Sequence, residues 1–268
     1  MKAKVVFLAV LVSLVLSTGL YAGARRQSGG LTIKPGVLMI GMEIGYPPME
    51  YLAADGRTPI GFDVELGKAI AAKMGLQAEF IDTAWDGIFA GVETNKFDAI
   101  ISAVTINDAR LRAHNFSKPY IQNTLAIVRM KGAPDTVRSP QDLAGLNVAF
   151  QGETTADDFM SDLAAAGLRF TPREYDQIIH CFPELQLGRV DAVVTDLLVA
   201  YEFVGRANSP FEIVWQGGEE EFGICMRRGN DALTVAIDEA LDALFADGTM
   251  QRLSYETFGM DLVSAVRR

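Results

Sequence analysis

The 268-residue chain predicts an α/β fold built as two related lobes. Three observations carry that expectation. Short apolar runs alternate with amphipathic segments, the pattern of buried strands joined by helices. The stretch Gly188-Arg189-Val190-Asp191-Ala192-Val193-Val194-Thr195-Asp196 echoes Asn95-Lys96-Phe97-Asp98-Ala99-Ile100-Ile101-Ser102-Ala103, with Phe97 and Val190 standing 93 residues apart. The length suits one large domain or two lobes, with ample material for a buried core.

The N-terminus reads as an address. Lys2 and Lys4 precede an apolar run from Val5 to Leu16, then small residues ending Ala22-Gly23-Ala24. That run is shorter than the roughly 20 residues of a membrane span, so residues 1–24 are expected to be a cleaved signal peptide. No cysteine stands near the end of the apolar run, so no lipid anchor is expected. Residues 25–36 form a loose leader.

Val37 to Met42 is the first strand, ended by the Pro47-Pro48 loop. A hairpin turns around Asp55-Gly56. Asp63 then caps a helix striped by Val64, Ile70, Ala71 and Met74 and stopped by Gly75. Gln77 to Ile81 is a strand and Trp85 to Glu93 a helix. Ala99 to Val104 is too short for a helix and suits a strand buried on both faces. Beyond it, Leu125 to Met130 and Asn147 to Phe150 are strands, Gln141 to Gly145 a short helix, and Ala156 to Ala166 a longer one. Phe211 to Trp215 and Phe222 to Arg227 are strands. Two helices close the chain, Asp231 to Phe245 and Thr249 to about Phe258. Strands alternating with helices imply a parallel sheet.

The formal net charge of −10 argues against nucleic acid, whose phosphates need clustered Lys and Arg. Cys181 and Cys225 have apolar neighbours and read as buried free thiols, although an oxidising compartment would permit a disulfide. Two cysteines and two histidines at scattered positions lack the spacing of a metal site, and no cofactor motif occurs.

The chemistry gathers where strands end. After Ala99–Val104 come Ser102, Thr105 and Asn107, then a helix start carrying Arg110. Alone, this fits an anion site or an ordinary strand–helix junction equally well. Gln151-Gly152-Glu153-Thr154-Thr155 makes a second such junction. The echo at 188–196 makes a third and ends in a carboxylate, Asp196. Ligands of open α/β sheets bind beyond the carboxyl ends of strands. Facing strand ends would set Arg110 and Asp196 at opposite poles of one small zwitterion, and an α-amino acid is the simplest that fits.

At this point the chain resembles the extracytoplasmic amino-acid-binding proteins of ABC transporters, the polar-amino-acid solute-binding family. Seven ordered motifs between Leu38 and Gly259 carry the resemblance: 45–50 (GYPPME), 61–66 (GFDVEL), 85–88 (WDGI), 98–102 (DAIIS), 115–120 (NFSKPY), 151–156 (QGETTA) and 188–192 (GRVDA). It implies a two-lobed, periplasmic-binding-protein-like (type II) fold, each lobe a mainly parallel sheet flanked by helices. Residues 37–121 and 222–260 would form one lobe and 125–216 the other. Residues 121–124 and 217–221 would be a two-segment hinge, and 261–268 a tail.

The resemblance also implies roles. Arg110 clamps the ligand α-carboxylate with Thr154, and Ser102 belongs to the same strand-end site. Asp196 accepts the α-ammonium, helped by Thr105 and the backbone at Ala103. Tyr46 and Trp85 sandwich the side chain. Glu43 and Asp63 fall where similar proteins that take cationic side chains place acids, although Asp63 is equally a helix cap. Glu43 stands where Asp is usual, Ala103 where Ser or Gly is common, and Glu153 where a small hydroxyl is usual. The implied function is capture of an L-amino acid between closing lobes and delivery to a membrane permease, as a monomer outside the cytoplasm. Arginine, lysine or ornithine is favoured, and glutamine and histidine remain alternatives. The rival is an enzyme of cyclohexadienyl-dehydratase type, in which Glu43 or Glu153 would be a general acid.

Overall fold

The computed structural model describes residues 30–133 and 137–266; the expected signal peptide and the leader up to residue 29 lie outside the described residues. In chain order the elements are β1 (Val37–Met42), a hairpin of β2 (Tyr51–Leu52) and β3 (Pro59–Ile60), α1 (Phe62–Lys73), β4 (Gln77–Asp82), α2 (Trp85–Glu93), β5 (Ala99–Ile100), α3 (Asp108–Ala113) and β6 (Asn115–Phe116). There follow β7 (Ile121–Met130), β8 (Asn147–Gln151), α4 (Thr155–Ala165), β9 (Thr171–Tyr175), α5 (Cys181–Gln186), β10 (Ala192–Asp196) and α6 (Leu197–Gly205). The chain returns through β11 (Phe211–Phe222) and β12 (Cys225–Met226) to α7 (Asp231–Ala246) and α8 (Thr249–Phe258).

Two five-stranded sheets result, ordered β4-β1-β5-β12-β6 and β11-β7-β10-β8-β9. Each has a parallel centre, β4-β1-β5 in one and β10-β8-β9 in the other. Antiparallel strands complete both sheets, so they are mixed rather than wholly parallel. The parallel pairs are joined through helical crossovers, whereas the antiparallel members come from segments far apart in the chain: β7, β11 and β12 carry it between the sheets and back.

The apolar runs are explained by burial on both faces. In β10 every residue is buried; Val193 packs with Phe182 and Phe203 on one side of the sheet, while Ala192 and Val194 join Phe150 and Met160 on the other. In the first sheet Leu38, Ile40 and Met42 enter a core with Phe62, Ile70 and Leu241. Each such side chain contributes on the order of 1.5–3 kcal/mol. Gly41 is required by packing, because a Cβ there would lie 2.4 Å from the Phe97 ring.

Several boundaries differ from expectation for identifiable reasons. The strand expected over Ala99–Val104 pairs only over Ala99–Ile100, because Ala103 turns to φ 47° and leaves the ladder. Asp63 is not a helix cap. Gly61 at φ 126° precedes α1, and a Cβ there would lie 2.2 Å from the Met49 carbonyl, so only glycine fits. The segment expected as a strand over Phe222–Arg227 keeps only Cys225–Met226, and Gln141–Gly145 is a 3-10 turn over Pro140–Leu143. Residues 121–124 and 217–221, the expected hinge segments, are paired strand. They lie within β7 and β11, which pair from Ile121↔Phe222 to Met130↔Phe211. This ribbon enters the first core at Ile121 and Phe222 and the second at Ala126, Val128 and Phe211. Cys181 and Cys225 are both buried and free, and burial pushes both thiols up.

Candidate functional site

The parallel strands of both sheets end on one small cavity. Nine of the ten residues expected at the site line it or its rim: Glu43, Tyr46, Trp85, Ser102, Ala103, Thr105 and Arg110 from the first lobe, Thr154 and Asp196 from the second. Asp63 is the exception.

One pole is built for an anion. Asn107 caps α3 by accepting the Arg110 N–H, and the guanidinium then folds back to donate to the Thr105 carbonyl at 3.0 Å. It also lies over the rings of Trp85 (5.5 Å) and Phe89 (5.1 Å), which hold its plane. Burial works against its charge, and Asp158 opposes that. Across the cavity, α4 begins at Thr155. The Thr154 hydroxyl donates to the Gln151 carbonyl and accepts the Asp157 N–H, so Thr154 serves as the helix cap. The cavity-lining Thr154 and Thr155 thus bring the positive end of a helix beside Arg110.

The other pole is built around a carboxyl. Asp196, at the end of β10, accepts from the Tyr46 hydroxyl (2.5 Å) and the Asn123 side-chain amide (2.7 Å). Burial, then Glu220 nearby, pushes its pKa well above the usual carboxylate range. An arriving ammonium would reverse that. Thr105 reaches Glu220 at 3.3 Å and leaves its carbonyl to Arg110.

Between and beyond the poles lies the side-chain region. Tyr46 and Trp85 both wall the cavity. Each also ties the lobes together, Tyr46 through Asp196 and Trp85 by donating its indole N–H to the Glu153 carbonyl at 2.9 Å. At the far end, Glu43 is 2% exposed and its Oε2 accepts from the Gln151 amide at 2.7 Å. Glu43 Oε1 and Gln151 Oε1 are buried and have no partner. Burial lifts the Glu43 carboxyl from 4.5 to about 7, with the charges of Asp82, Asp86 and Asp176 adding to it against the Gln151 hydrogen bond. Past Trp85 the cleft opens into a recess lined by Asp86, Glu153, Asp157, Glu174 and Asp176.

Two expected ligand residues are otherwise occupied. The Ser102 hydroxyl donates to Glu50 at 2.6 Å and accepts the Glu43 N–H at 3.0 Å, which uses it inside the protein. Asp63 is fully buried and turned away from the cavity; its Oδ2 accepts the Ala103 N–H (2.7 Å) and the Tyr120 hydroxyl (2.9 Å). Gln151, Asn123 and Glu50 went unmarked in the sequence. Only Gln151 carried a signal, being the last residue of a parallel strand before a glycine. A cavity with opposite charges at its poles and an acidic far end suits a zwitterion with a donor-rich side chain.

The family of bacterial extracellular solute-binding proteins, family 3, matches residues 38–260. The chain belongs to this family. Among its relatives, the L-cystine-binding protein TcyJ of Escherichia coli (strain K12) is 31% identical over 92% of this chain and 94% of its own. The L-arginine-binding protein of Pseudomonas aeruginosa is 30% identical over 83% of this chain and 88% of its own. Among solved structures, an ancestral arginine-binding protein bound to arginine superposes with a TM-score of 0.80 at 35% identity, covering 84% of this chain and 99% of that one. The expected family, the two-lobed fold and the role of binding protein rather than enzyme therefore hold.

Proposed function

We propose that this family 3 solute-binding protein captures a cationic L-amino acid, arginine, lysine or ornithine, and delivers it to an ABC permease. The observation that carries the choice of ligand is the pair of buried, unpartnered acceptors at Glu43 and Gln151, in the same cavity as Arg110 and Asp196. A guanidinium or ammonium supplies donors to both, whereas an apolar side chain would leave them unmet at a cost of about 1–3 kcal/mol each. Cystine has a second ammonium for Glu43 but also a second carboxylate. Among the described residues lining the cavity and its acidic recess, Arg110 is the only cation. Glutamine and histidine offer fewer donors to the same acceptors.

In this reading residues 1–24 direct export and are cleaved, the protein works outside the cytoplasm as a monomer, and the β7–β11 ribbon is the hinge. Residues 37–121 with 222–260, and 125–216, are the lobes that close. Hydrogen bonds that cross the cleft, Tyr46–Asp196, Trp85–Glu153 and Glu43–Gln151, favour the closed arrangement.

A thermal-shift screen of the purified protein against the common amino acids and L-cystine tests the assignment. A ligand at 100 times its Kd adds about 2.7 kcal/mol, a rise of roughly 5–10 °C for a chain of this size. L-arginine, L-lysine or L-ornithine is expected to give the largest rise. A rise with L-cystine alone would transfer the far pocket to a second zwitterionic head.

Glu43 adds a pH signature. A bound cation favours the ionised carboxyl, so binding releases the proton that the free site holds below about 7. Affinity for L-arginine is expected to rise with pH through that region, and to fall about tenfold per unit as pH drops well below it. Glu43→Gln should remove the Glu43 share of this slope, leaving that of Asp196, and weaken arginine about 10–150-fold, the range for a hydrogen bond to a charged group. Calorimetry at pH 5.5 and 8 reads both. An unchanged slope in Glu43→Gln would take Glu43 out of the side-chain pocket.

A further inference from the structure

Behind the cavity wall lie two acids that the binding reading does not use. Glu50 and Asp63 are both 0% exposed, and Glu50 Oε2 and Asp63 Oδ1 are buried with no N–H or O–H of another residue donating to them. The remaining oxygens are fully employed. Glu50 Oε1 accepts the Ser102 hydroxyl, whose oxygen accepts the Glu43 N–H. Asp63 Oδ2 accepts the Ala103 N–H and the Tyr120 hydroxyl. Thus two acids on different elements grip three consecutive parts of the site: the Glu43 loop, Ser102, and Ala103 in its left-handed turn at φ 47°.

We propose that Glu50 and Asp63 act as one positioning unit for the ligand site, a carboxyl–carboxylate pair that shares a single buried proton between Glu50 Oε2 and Asp63 Oδ1. The charged and titratable groups facing the pair are Glu43, Tyr120 and each other, with no cation among them. Two bare carboxylates in that setting would repel at low dielectric, whereas one proton turns the repulsion into a short hydrogen bond and leaves one charge for the Ala103 N–H. Burial raises both groups, Glu50 well above the carboxylate range with Asp63 as the next cause, and Asp63 to about 7. A group raised on folding stabilises at low pH and is lost as pH climbs through its folded value, so the unit loosens on the alkaline side. The loosening reaches the ligand through Ala103 and the Glu43 loop, which line the cavity.

The pair is testable by its proton count. In Glu50→Gln an amide N–H replaces the shared proton, and in Asp63→Asn the amide donates to an ionised Glu50. Each single change is therefore expected to keep affinity for L-arginine within about fivefold. The double variant has two amides where one proton is needed, so either N–H groups face each other or Ser102 loses its acceptor. It is expected to bind at least tenfold more weakly than the product of the two single effects. The parent is expected to lose melting temperature on the alkaline side, and Glu50→Gln should flatten that fall. Additive single effects, or an alkaline fall unchanged in Glu50→Gln, would overturn the shared proton. The binding arm rests on the proposed ligand, but the melting arm does not. If the parent binds no cationic amino acid, the proposed function fails while coupling in the ligand-free melting temperatures still decides the pair.

Discussion

Arg110→Ala is expected to weaken every amino acid the protein binds by roughly 30-fold to several thousand-fold, irrespective of side chain. The range corresponds to about 2–5 kcal/mol, the effect of removing one partner of a buried charge pair. All α-amino acids share the carboxylate, and among the described residues lining the cavity Arg110 is its only cation. The guanidinium is also pre-set: its tie to the Thr105 carbonyl and its place over Trp85 and Phe89 are made within the protein. Little ordering then remains for the ligand to impose. Arg110→Lys should recover only part of the loss, because an ammonium cannot make the paired contact of a guanidinium with a carboxylate. Isothermal titration of both variants checks this. Unchanged affinity in Arg110→Ala would move the ligand out of this cavity.

Asp196→Ala is expected to cost as much, and the loss should vanish for a ligand without an α-amino group. The substitution removes the one carboxyl that lines the ammonium pole and strands two donors, the Tyr46 hydroxyl and the Asn123 amide. Parent protein should strongly prefer L-arginine to its deaminated analogue. In Asp196→Ala both should bind weakly and nearly equally. Equal loss of affinity for the analogue would mean that Asp196 acts through closure of the lobes, by way of Tyr46, rather than on the ammonium. Competition titration with the two compounds separates these outcomes.

Much of this site was legible in the chain because its parts are short and local. Arg110 follows a strand by one turn, Thr154 caps a helix directly after a strand, and Asp196 ends the echo of Phe97–Ala103. Thr154 and Asp196 stand within three residues of the strand end that presents them, and Arg110 lies in the first turn of the next helix, so spacing assigns the place. Asp63 failed for the same reason that made it attractive. At the start of a helix beside a hairpin, an aspartate reads as a cap or a pocket acid, but its direction depends on where Ala103 and Tyr120 stand, 40 and 57 residues later. Ser102 was correctly placed but given the wrong partner, since Glu50 claims its hydroxyl from 52 residues away.

The amino-acid order by itself determined the alternation of strands and helices, the two-lobe echo and the charge at each pole, because period, turn chemistry and strand-end spacing are local properties. Tertiary structure decided the rest. It merged the two crossings into one β7–β11 ribbon, since backbone groups at the join of two cores need partners and each segment is the other's nearest source. It turned Asp63 inward beside Glu50, left Glu43 and Gln151 each with an unmet acceptor, and thereby set what kind of side chain the cleft can receive. Those outcomes depend on which distant groups compete for each hydrogen bond, and that competition exists only once the lobes are packed.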